Sequence, residues 1–199
     1  NGLATGSKSI IVPATGFVIL NALASYRSKG SFYPVAGDQG GVLPESCTIL
    51  QNPFTKSQRD KLISYRINPI YDTGLRGIQI YGNDTLNPQY TDLSAAHIAR
   101  TLVQIRSRVD RYSETIKFML NDRYTWTSCI NYVSTKILEP IKSLGGLQWY
   151  QVNIGRDTTT NEEISQLKIR GMVSLQFTQA LEVIELEFVV YSSALDMEA

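Results

Sequence analysis

The side chains that could support catalysis or bind a metal are few and widely spaced. The sequence contains one histidine, His97, and two cysteines, Cys47 and Cys129. A general base must reach a reacting proton, and no GxSxG elbow or Cys-His signature accompanies His97. The three residues also lack the spacing of a zinc site, and Glu162 with Glu163 fits a solvated turn better than a metal site. We therefore predict no catalytic residue, no metal site and no enzymatic activity.

Cofactor binding is equally unsupported by the motifs. Glycines are spaced through residues 74–82, but no P-loop lysine follows and the order strand, glycine, helix is absent. We predict that these glycines serve turns and that no cofactor is bound. The two cysteines lie far apart in the sequence, so we expect two thiols in the core rather than a disulfide.

Composition and charge are those of a globular domain. Hydrophobic residues make up 43% of the 199 residues and charged residues 19%, and the net charge is +1. A near-neutral chain has no general attraction for nucleic acid, and polar residues interrupt every apolar run before it could span a membrane. We predict neither nucleic-acid binding nor membrane insertion.

The elements that would position any site begin with two short helices. Pro13 suits a first helical turn, Leu20 and Leu23 follow at helical spacing, and Gly30 can end that helix. A second helix starts at Thr55, because Gln58 three residues later completes a capping box.

Two longer helices follow. The strongest pattern runs through residues 94–116, where apolar residues step by three and four along one stripe. Another helix begins near Asp122 or Thr125 and ends at Gly145, with Pro140 expected to kink its last turn. The stripe of the first long helix consists of Ile98, Leu102, Ile105, Val109 and Tyr112.

Strands are predicted from alternation with period two. Residues 69–74 and 77–82 read as a hairpin, and residues 147–155, 167–177 and 183–191 alternate in the same way. Together with the helices they predict one α/β or α+β domain, in which a mixed β-sheet packs against several helices.

Three surface features suggest assembly with other molecules. The loop of residues 31–53 carries Phe32, Tyr33 and Val35, which pack either on their own domain or on a neighbour, and the sequence leaves both open. The tail 192–199 has too little apolar surface to fold alone, and an open sheet edge beside such a segment favours strand addition between molecules. The third feature is a basic helix face opposite the apolar stripe, which on pattern alone is more often a solvated surface. It is formed by Arg100, Arg108 and Arg111.

Several short motifs recur in a defined order along the chain. A Gly-Ile-x-Ile-x-Gly-x-x-Thr-Leu block runs from Gly77 to Leu86, just before the long predicted helix. Pro-Ala-Thr-Gly precedes it at Pro13, and Phe-x-x-Asn-Asp-x-x-x-Trp follows it at residues 118–126. The remaining matches are Tyr33, Pro34, Ala36, Leu62, Ile67, Asn68, Gly145, Gly146, Leu147, Asp157, Thr160 and Asn161. In this order, the blocks resemble the C-terminal part of contractile tail sheath proteins, the family of myovirus-type phages and R-type pyocins.

One position departs from the family pattern. Where the family has glycine before Ile67 and Asn68, this sequence has Arg66. The resemblance is therefore that of a distant member.

The resemblance implies a structural subunit with no substrate and no cofactor. Such a subunit polymerises as a helical sheath around a phage tail tube and contracts to drive the tube through the host envelope. Its implied partners are neighbouring sheath subunits, the tail tube protein, the baseplate and the tail terminator. It would reside in the virion tail after assembly in the host cytoplasm.

The resemblance also implies a domain arrangement and candidate contact residues. Residues 1–199 would form the inner, tube-proximal domain, with 1–10 a truncated lead-in and 192–199 a tail, while an N-terminal arm and an outer domain would be absent. Candidate tube contacts are Arg100, Arg108, Arg111, Lys136 and Lys142. The candidate inter-subunit strand contains Ile184, Leu186, Phe188, Val190 and Tyr191.

Two alternative functions remain open at this point. The same architecture serves in the sheath of a bacterial contractile injection or secretion machine. A soluble enzyme or ligand-binding domain would instead need a concave cluster of polar groups around His97 or Glu162.

Overall fold

Helices and short antiparallel sheets alternate along the chain in the computed structural model, which describes residues 12–44, 47, 50, 53–74, 76–87, 89 and 91–181. A turn of 3-10 helix at Asp92–Ser94 precedes the longest helix, and a π-helical segment at Val133–Leu138 joins the next two. The α+β class predicted from the sequence is confirmed. The elements are α1 (Thr15–Ser28), α2 (Gly37–Gly40), α3 (Lys56–Ser64), β1 (Ile70–Asp72), β2 (Ile78–Ile80), α4 (Ala96–Ile116), α5 (Arg123–Tyr132), α6 (Glu139–Ser143), β3 (Leu147–Ile154), α7 (Asn161–Ser165) and β4 (Gly171–Phe177).

The main core forms where α4 crosses the helices that follow it and the β3–β4 sheet. The predicted stripe of α4 faces this core, with Ile98 and Ile105 fully buried. Leu138 lies opposite and has no exposed surface. The buried members are Ile98, Ile105, Cys129, Val133, Ile137, Leu138, Ile141, Leu147 and Phe177.

The run from α5 to α6 is continuous but changes its winding near a proline. Asp122 caps α5, since its Oδ1 accepts from the Thr125 N–H at 2.8 Å. Pro140 has no N–H, and its ring would collide with the carbonyl four residues back in a regular helix. The π-helical turn lies just before it, where the Glu139 N–H donates to the Ser134 carbonyl. The expected disturbance of the helix is therefore a widened turn upstream of Pro140.

The strands form two separate sheets. β1 and β2 pair antiparallel with Ile70 opposite Ile80, and β3 and β4 pair antiparallel with Val152 opposite Val173. We expected one mixed sheet; in the part of the chain that the structure describes, each sheet has two antiparallel strands. The predicted strand 183–191 lies outside the described residues.

The loop after α1 packs on its own domain. Val35 and Leu43 are buried in a second core with Ile78 and Ile80 of β2. Phe32 packs instead against the main core. Of the two alternatives left open by the sequence, these contacts support the first for Phe32 and Val35, which pack on their own domain.

Two local expectations about burial were wrong. In α1, Leu20 and Leu23 point outward with 61% and 51% exposure, while Phe17 and Tyr26 pack on the second core. In β2, period-two alternation would separate Gln79 from Ile78 and Ile80, yet Gln79 is 1% exposed and bridges to Val42 on the strand edge away from β1. Such neighbours come from distant parts of the sequence, so local periodicity does not reveal them.

Three helices end in the same hydrogen-bond motif, with different residues in its left-handed position. After α3, the Ile67 N–H donates to the Leu62 carbonyl, and Arg66 has φ +58°. The turns after α6 and α7 repeat this Schellman pattern with Gly145 at φ +85° and Leu167 at φ +57°. Glycine is favoured there because a Cβ is strained at positive φ. The positive φ at Arg66 therefore explains why a glycine, as the family has, is favoured at this position.

Candidate functional site

The single histidine is a buried structural residue in the first turn of α4. His97 is 2% exposed, and both of its ring nitrogens have partners. Nδ1 lies 2.7 Å from the Asn83 side-chain amide, and Nε2 lies 3.3 Å from the Thr178 carbonyl oxygen. A carbonyl oxygen only accepts, so Nε2 carries the hydrogen and Nδ1 accepts from Asn83. Neither nitrogen is left for proton transfer.

One member of the acidic pair at the start of α7, Glu163, caps the helix. Glu163 accepts from the Thr160 N–H at 3.0 Å, and its other oxygen contacts the Arg170 guanidinium at 2.7 Å. The Thr160 hydrogen bond, aided by the charges of Arg170 and Lys168, lowers the pKa of Glu163. A carboxylate held in its charged form at a helix start fits a capping box, so the turn predicted from the sequence is the start of a short helix.

Two further findings concern metal binding and membrane insertion, which the sequence analysis considered. Among the described residues, no group of three or more His, Cys, Asp or Glu side chains is arranged to hold a metal ion. None of the helices in those same residues combines the length and apolar character needed to cross a bilayer. Cys129 is buried and Cys47 partly buried, both as free thiols.

A basic groove lies between α4 and the π-helical segment. It contains three of the five residues predicted to contact a tail tube, Arg108, Arg111 and Lys136. Every charged residue that lines it in the described part of the chain is basic, so it presents a positive surface. The full lining is Arg108, Arg111, Tyr112, Thr115, Tyr132, Lys136 and Ile137.

The other two predicted contacts do not line this groove, although Arg100 lines an adjoining cavity together with Arg108 and Arg111. Arg100 is half-buried: its guanidinium stacks on the Tyr26 ring at 5.0 Å and donates to the Tyr33 carbonyl at 3.3 Å. It fastens the loop after α1 onto α4. Lys142 lies on α6 over the Tyr150 ring, at 5.4 Å from its centre.

Glu139 adds a carboxylate to the surroundings of Lys142. It accepts a hydrogen bond from the Tyr150 hydroxyl at 2.6 Å, which, with desolvation, raises the pKa of Tyr150 to about 12. Lys142 therefore adjoins a mixed-charge site and lines no part of the basic groove.

An aromatic pair forms part of the groove wall, and the sequence reasoning missed it. The rings of Tyr112 and Tyr132 stack with centroids 3.8 Å apart and planes within 5°. Tyr112 was predicted as the last residue of the apolar stripe, but the exposed Tyr132 was not singled out. Its partner comes from another helix, so no spacing within one segment could have indicated the stack.

The β3–β4 sheet offers a second candidate contact surface, along its edges. β3 has 8 residues and β4 has 7, and no third strand pairs with either in the described part of the chain. One face packs on the main core through Tyr150, Val152 and Leu175. The outer edge of each strand therefore has main-chain groups available for another strand.

Comparison with known proteins gives one relative in sequence and several in fold. No family model matches the chain. The tail sheath protein of Enterobacteria phage T4 is 25% identical over 143 residues, which cover 72% of this chain and 22% of that protein.

The fold matches solved sheath and baseplate structures. The sheath complex of the PVC extracellular contractile injection system, in its contracted state, has a TM-score of 0.80 at 21% identity, covering 94% of this chain and 53% of that one. The contracted helical sheath of the anti-feeding prophage gives 0.79 at 21% identity, covering 89% and 50%. Its sixfold-symmetrised baseplate structure gives 0.79 at 19% identity, covering 90% and 50%.

This chain spans about half the length of the matched structures and 22% of the T4 protein. Within that span, two separate lines of evidence agree: the sequence match is to a tail sheath protein, and the fold matches are to sheath and baseplate assemblies. The resemblance drawn from the ordered motifs is thereby confirmed, and the chain is similar in sequence and in fold to contractile tail sheath proteins.

Proposed function

We propose that the chain is part of a structural subunit that polymerises into a helical contractile sheath around a phage tail tube and contracts to drive the tube through the host envelope. The observation that carries this proposal is the β3–β4 sheet, which has open edges in the described residues of a sheath-like fold. One face of this sheet packs on the main core, while its outer edges leave main-chain groups for further strands. Additional strands from neighbouring subunits would complete it and link the polymer.

The strand that joins subunits is proposed to be residues 183–191. Its alternating residues Ile184, Leu186, Phe188 and Val190 would form one apolar face, with Tyr191 at its end. Main-chain ladders are local, so flexible connections on either side can absorb rotation of whole domains. A contact of this kind keeps subunits joined while the lattice changes from an extended packing to a contracted packing of lower energy.

The basic groove is proposed as the surface that contacts the tail tube. Arg108, Arg111 and Lys136 lie together there, with no acidic residue in the described lining. A contact based on exposed charges is weakened by salt and releases readily. That property suits a sheath that must let go of the tube when it expands. Arg100 stays a weaker candidate for tube contact: it lines the adjoining cavity with Arg108 and Arg111, but its guanidinium also contacts Tyr26 and Tyr33.

The remaining parts of the proposal concern organisation and location. We place the chain as the inner, tube-proximal domain of a sheath subunit, with residues 192–199 as a tail and an N-terminal arm and outer domain upstream. Its partners would be other sheath subunits, the tube protein, the baseplate and the tail terminator. It would assemble in the host cytoplasm and reside in the virion tail. The proposal includes no enzymatic step.

The sheath of a bacterial contractile injection machine is the second candidate function. The fold matches to injection-system sheaths favour it, whereas the sequence match to a phage tail sheath protein favours the first. Both share the same assembly mechanism, so the same experiments test their common basis.

Assembly is tested by electron microscopy and sedimentation of the full-length gene product that contains this chain. We expect hollow striated tubes for the wild type and few or none for Phe188→Ala, which would remove an apolar contact of the joining strand. Glu187→Ala is the matched control, since period-two alternation places it on the opposite face. A wild-type protein that stays monomeric at all concentrations would contradict the proposal, as would normal tubes formed by Phe188→Ala.

Tube contact is tested with charge reversals on α4. Arg108→Glu combined with Arg111→Glu should weaken binding to the purified tail tube by about tenfold or more at low salt, and the difference should shrink as salt rises. Arg106→Glu is the control, because this exposed residue lies on the same helix but lines no part of the basic groove. Equal losses in the control and the double variant would remove the groove from the tube interface.

A further inference from the structure

The contacts of His97 connect three parts of the chain that are distant in sequence. Its Nδ1 accepts from Asn83, which belongs to the Gly77–Leu86 block, and its Nε2 donates to the carbonyl of Thr178, the residue directly after β4. Asn83 is 9% exposed and His97 2%. The Asn83 bond is buried and the Thr178 bond is partly buried. Breaking the buried bond is costly, because its freed groups would remain without water.

The Asn83 end of this connection is itself held firmly. The Asn83 carbonyl accepts from the Ala96 N–H at 2.7 Å, and the Thr85 N–H donates to the Ser94 carbonyl at 2.7 Å. The block therefore pairs with the start of α4. The imidazole then extends from this fixed base towards the end of β4.

The Thr178 end has further contacts with the same base. The Gln179 side-chain amide donates to Asp92 Oδ1 at 2.8 Å, next to the first turn of α4. Ala180 and Leu181 line a groove together with residues 81–84. The chain after β4 thus runs along the Gly77–Leu86 block, and His97 is the buried side chain between them.

We propose that His97 is a positioning residue that fixes residues 178–181 against the start of α4 and so sets the direction in which the chain leaves β4. This inference rests on the proposed function, because the segment leads directly into residues 183–191, the predicted joining strand. A segment held in one direction before it meets a neighbour loses less conformational freedom on binding. The expected role of His97 is therefore to favour assembly without touching the neighbouring subunit.

Two substitutions separate the two bonds of the imidazole. His97→Gln places an amide N–H near the position of Nε2 and can still donate to the Thr178 carbonyl. His97→Asn places an acceptor near the position of Nδ1, so it can keep the Asn83 bond, but it is too short to reach Thr178. The two variants differ by one methylene group and share the same amide chemistry, which makes each the control for the other.

The direct test is amide hydrogen exchange in the 199-residue chain, which does not require assembly. We expect the amides of residues 178–181 to exchange about two- to tenfold faster in His97→Asn than in the wild type, the change that loss of one net hydrogen bond produces. Amides of α5 should keep their wild-type rates. His97→Gln should restore slow exchange at residues 178–181.

Two results would overturn the inference. One is wild-type exchange at residues 178–181 in His97→Asn; the other is an equal acceleration in α5, which would indicate general destabilisation. In the full-length gene product, His97→Asn should also lower the yield of tubes, and His97→Gln should restore it. A wild-type protein that forms no tubes contradicts the proposed function, while the exchange result still decides the role of His97.

Discussion

The two sheets of the domain differ in how far their strand edges are paired within the described chain. We relate the paired edges to folding and the unpaired edges to assembly. β2 has a partner on each side: β1 on one, and on the other residues 41–43, whose Gly41 carbonyl accepts from the Ile80 N–H at 2.9 Å. The longer β3–β4 sheet has no third strand among the described residues. A sheet whose edges are occupied by its own chain stabilises the domain, whereas open edges can be occupied by another molecule.

The largest loss of stability is expected at Gly41, where residues 41–43 pair with the edge of β2. In Gly41→Ala, the new Cβ would lie 2.6 Å from the Ile80 carbonyl oxygen and 2.7 Å from the Gly37 nitrogen, both backbone atoms that cannot move aside cheaply. We expect the free energy of unfolding to fall by about 1–3 kcal/mol, measured by urea denaturation.

Gly16→Ala is the control for this change. Nothing lies within 4 Å of the added Cβ, and the residue is in helix α1. It should leave stability unchanged or raise it by up to about 1 kcal/mol. If Gly41→Ala were as stable as Gly16→Ala, the edge of β2 would not be closed in the way described.

A smaller difference in stability is expected for substitutions at the helix ends that lead into the two sheets. α3 leads into β1 through Arg66, and α7 leads into β4 through Leu167, each with φ near +58°. We expect Arg66→Gly and Leu167→Gly to be more stable than the corresponding alanine variants by about 1 kcal/mol, because only alanine keeps the strained Cβ. Thermal denaturation of the two pairs measures the difference, and identical melting temperatures within a pair would contradict it.

The third prediction is a loss of folding stability on acidification, which is absent at neutral pH. Burial, the largest cause, together with the charge of Arg100 lowers the pKa of His97 below its ordinary value of 6.5, although the Thr178 hydrogen bond raises it. The unfolded chain therefore binds the proton more readily than the folded chain. The contribution of the neutral His97 side chain to stability is fully present above pH 6.5. It declines as the pH falls below 6.5 towards the pKa of His97 in the folded state.

The measurement compares the wild type with His97→Gln by urea denaturation at about pH 7.5 and about pH 5.5. The wild type should lose more stability than the variant between the two conditions, since the other titrating groups are common to both. An equal loss would show that His97 does not couple folding to pH.

Much of the local structure could be predicted because its causes lie within a few residues. The Thr55–Gln58 capping box, the Asp122 cap and the Gly145 helix end each depend on a contact between near neighbours, and all are present. The apolar stripe of α4 could also be predicted, since helical spacing alone places its members on one side of the helix. The ordered motifs also identified the family likeness without any knowledge of the fold.

The candidate site could be predicted only in part. The helical projection grouped Arg100, Arg108 and Arg111, and all three line one cavity, but it did not indicate that Arg108 and Arg111 also form a second groove with Lys136 or that Arg100 has partners of its own. Arg100 contacts Tyr26 and Tyr33, which precede it by more than 60 residues. Projection on a helix gives the direction of a side chain, and it does not say which other segment lies in that direction.

The sequence by itself determined the class of fold, the caps of the longer helices and the likeness to contractile sheath proteins, because these depend on propensity, capping and short motifs. It did not indicate the short helices α2 and α7. Only the tertiary structure decided which sheet edges remain open in the described chain, why Gln79 is buried and which partners His97 holds. The bond from His97 to Thr178 joins residues 81 positions apart. Such contacts form when distant segments pack together, and no pattern within either segment specifies the other.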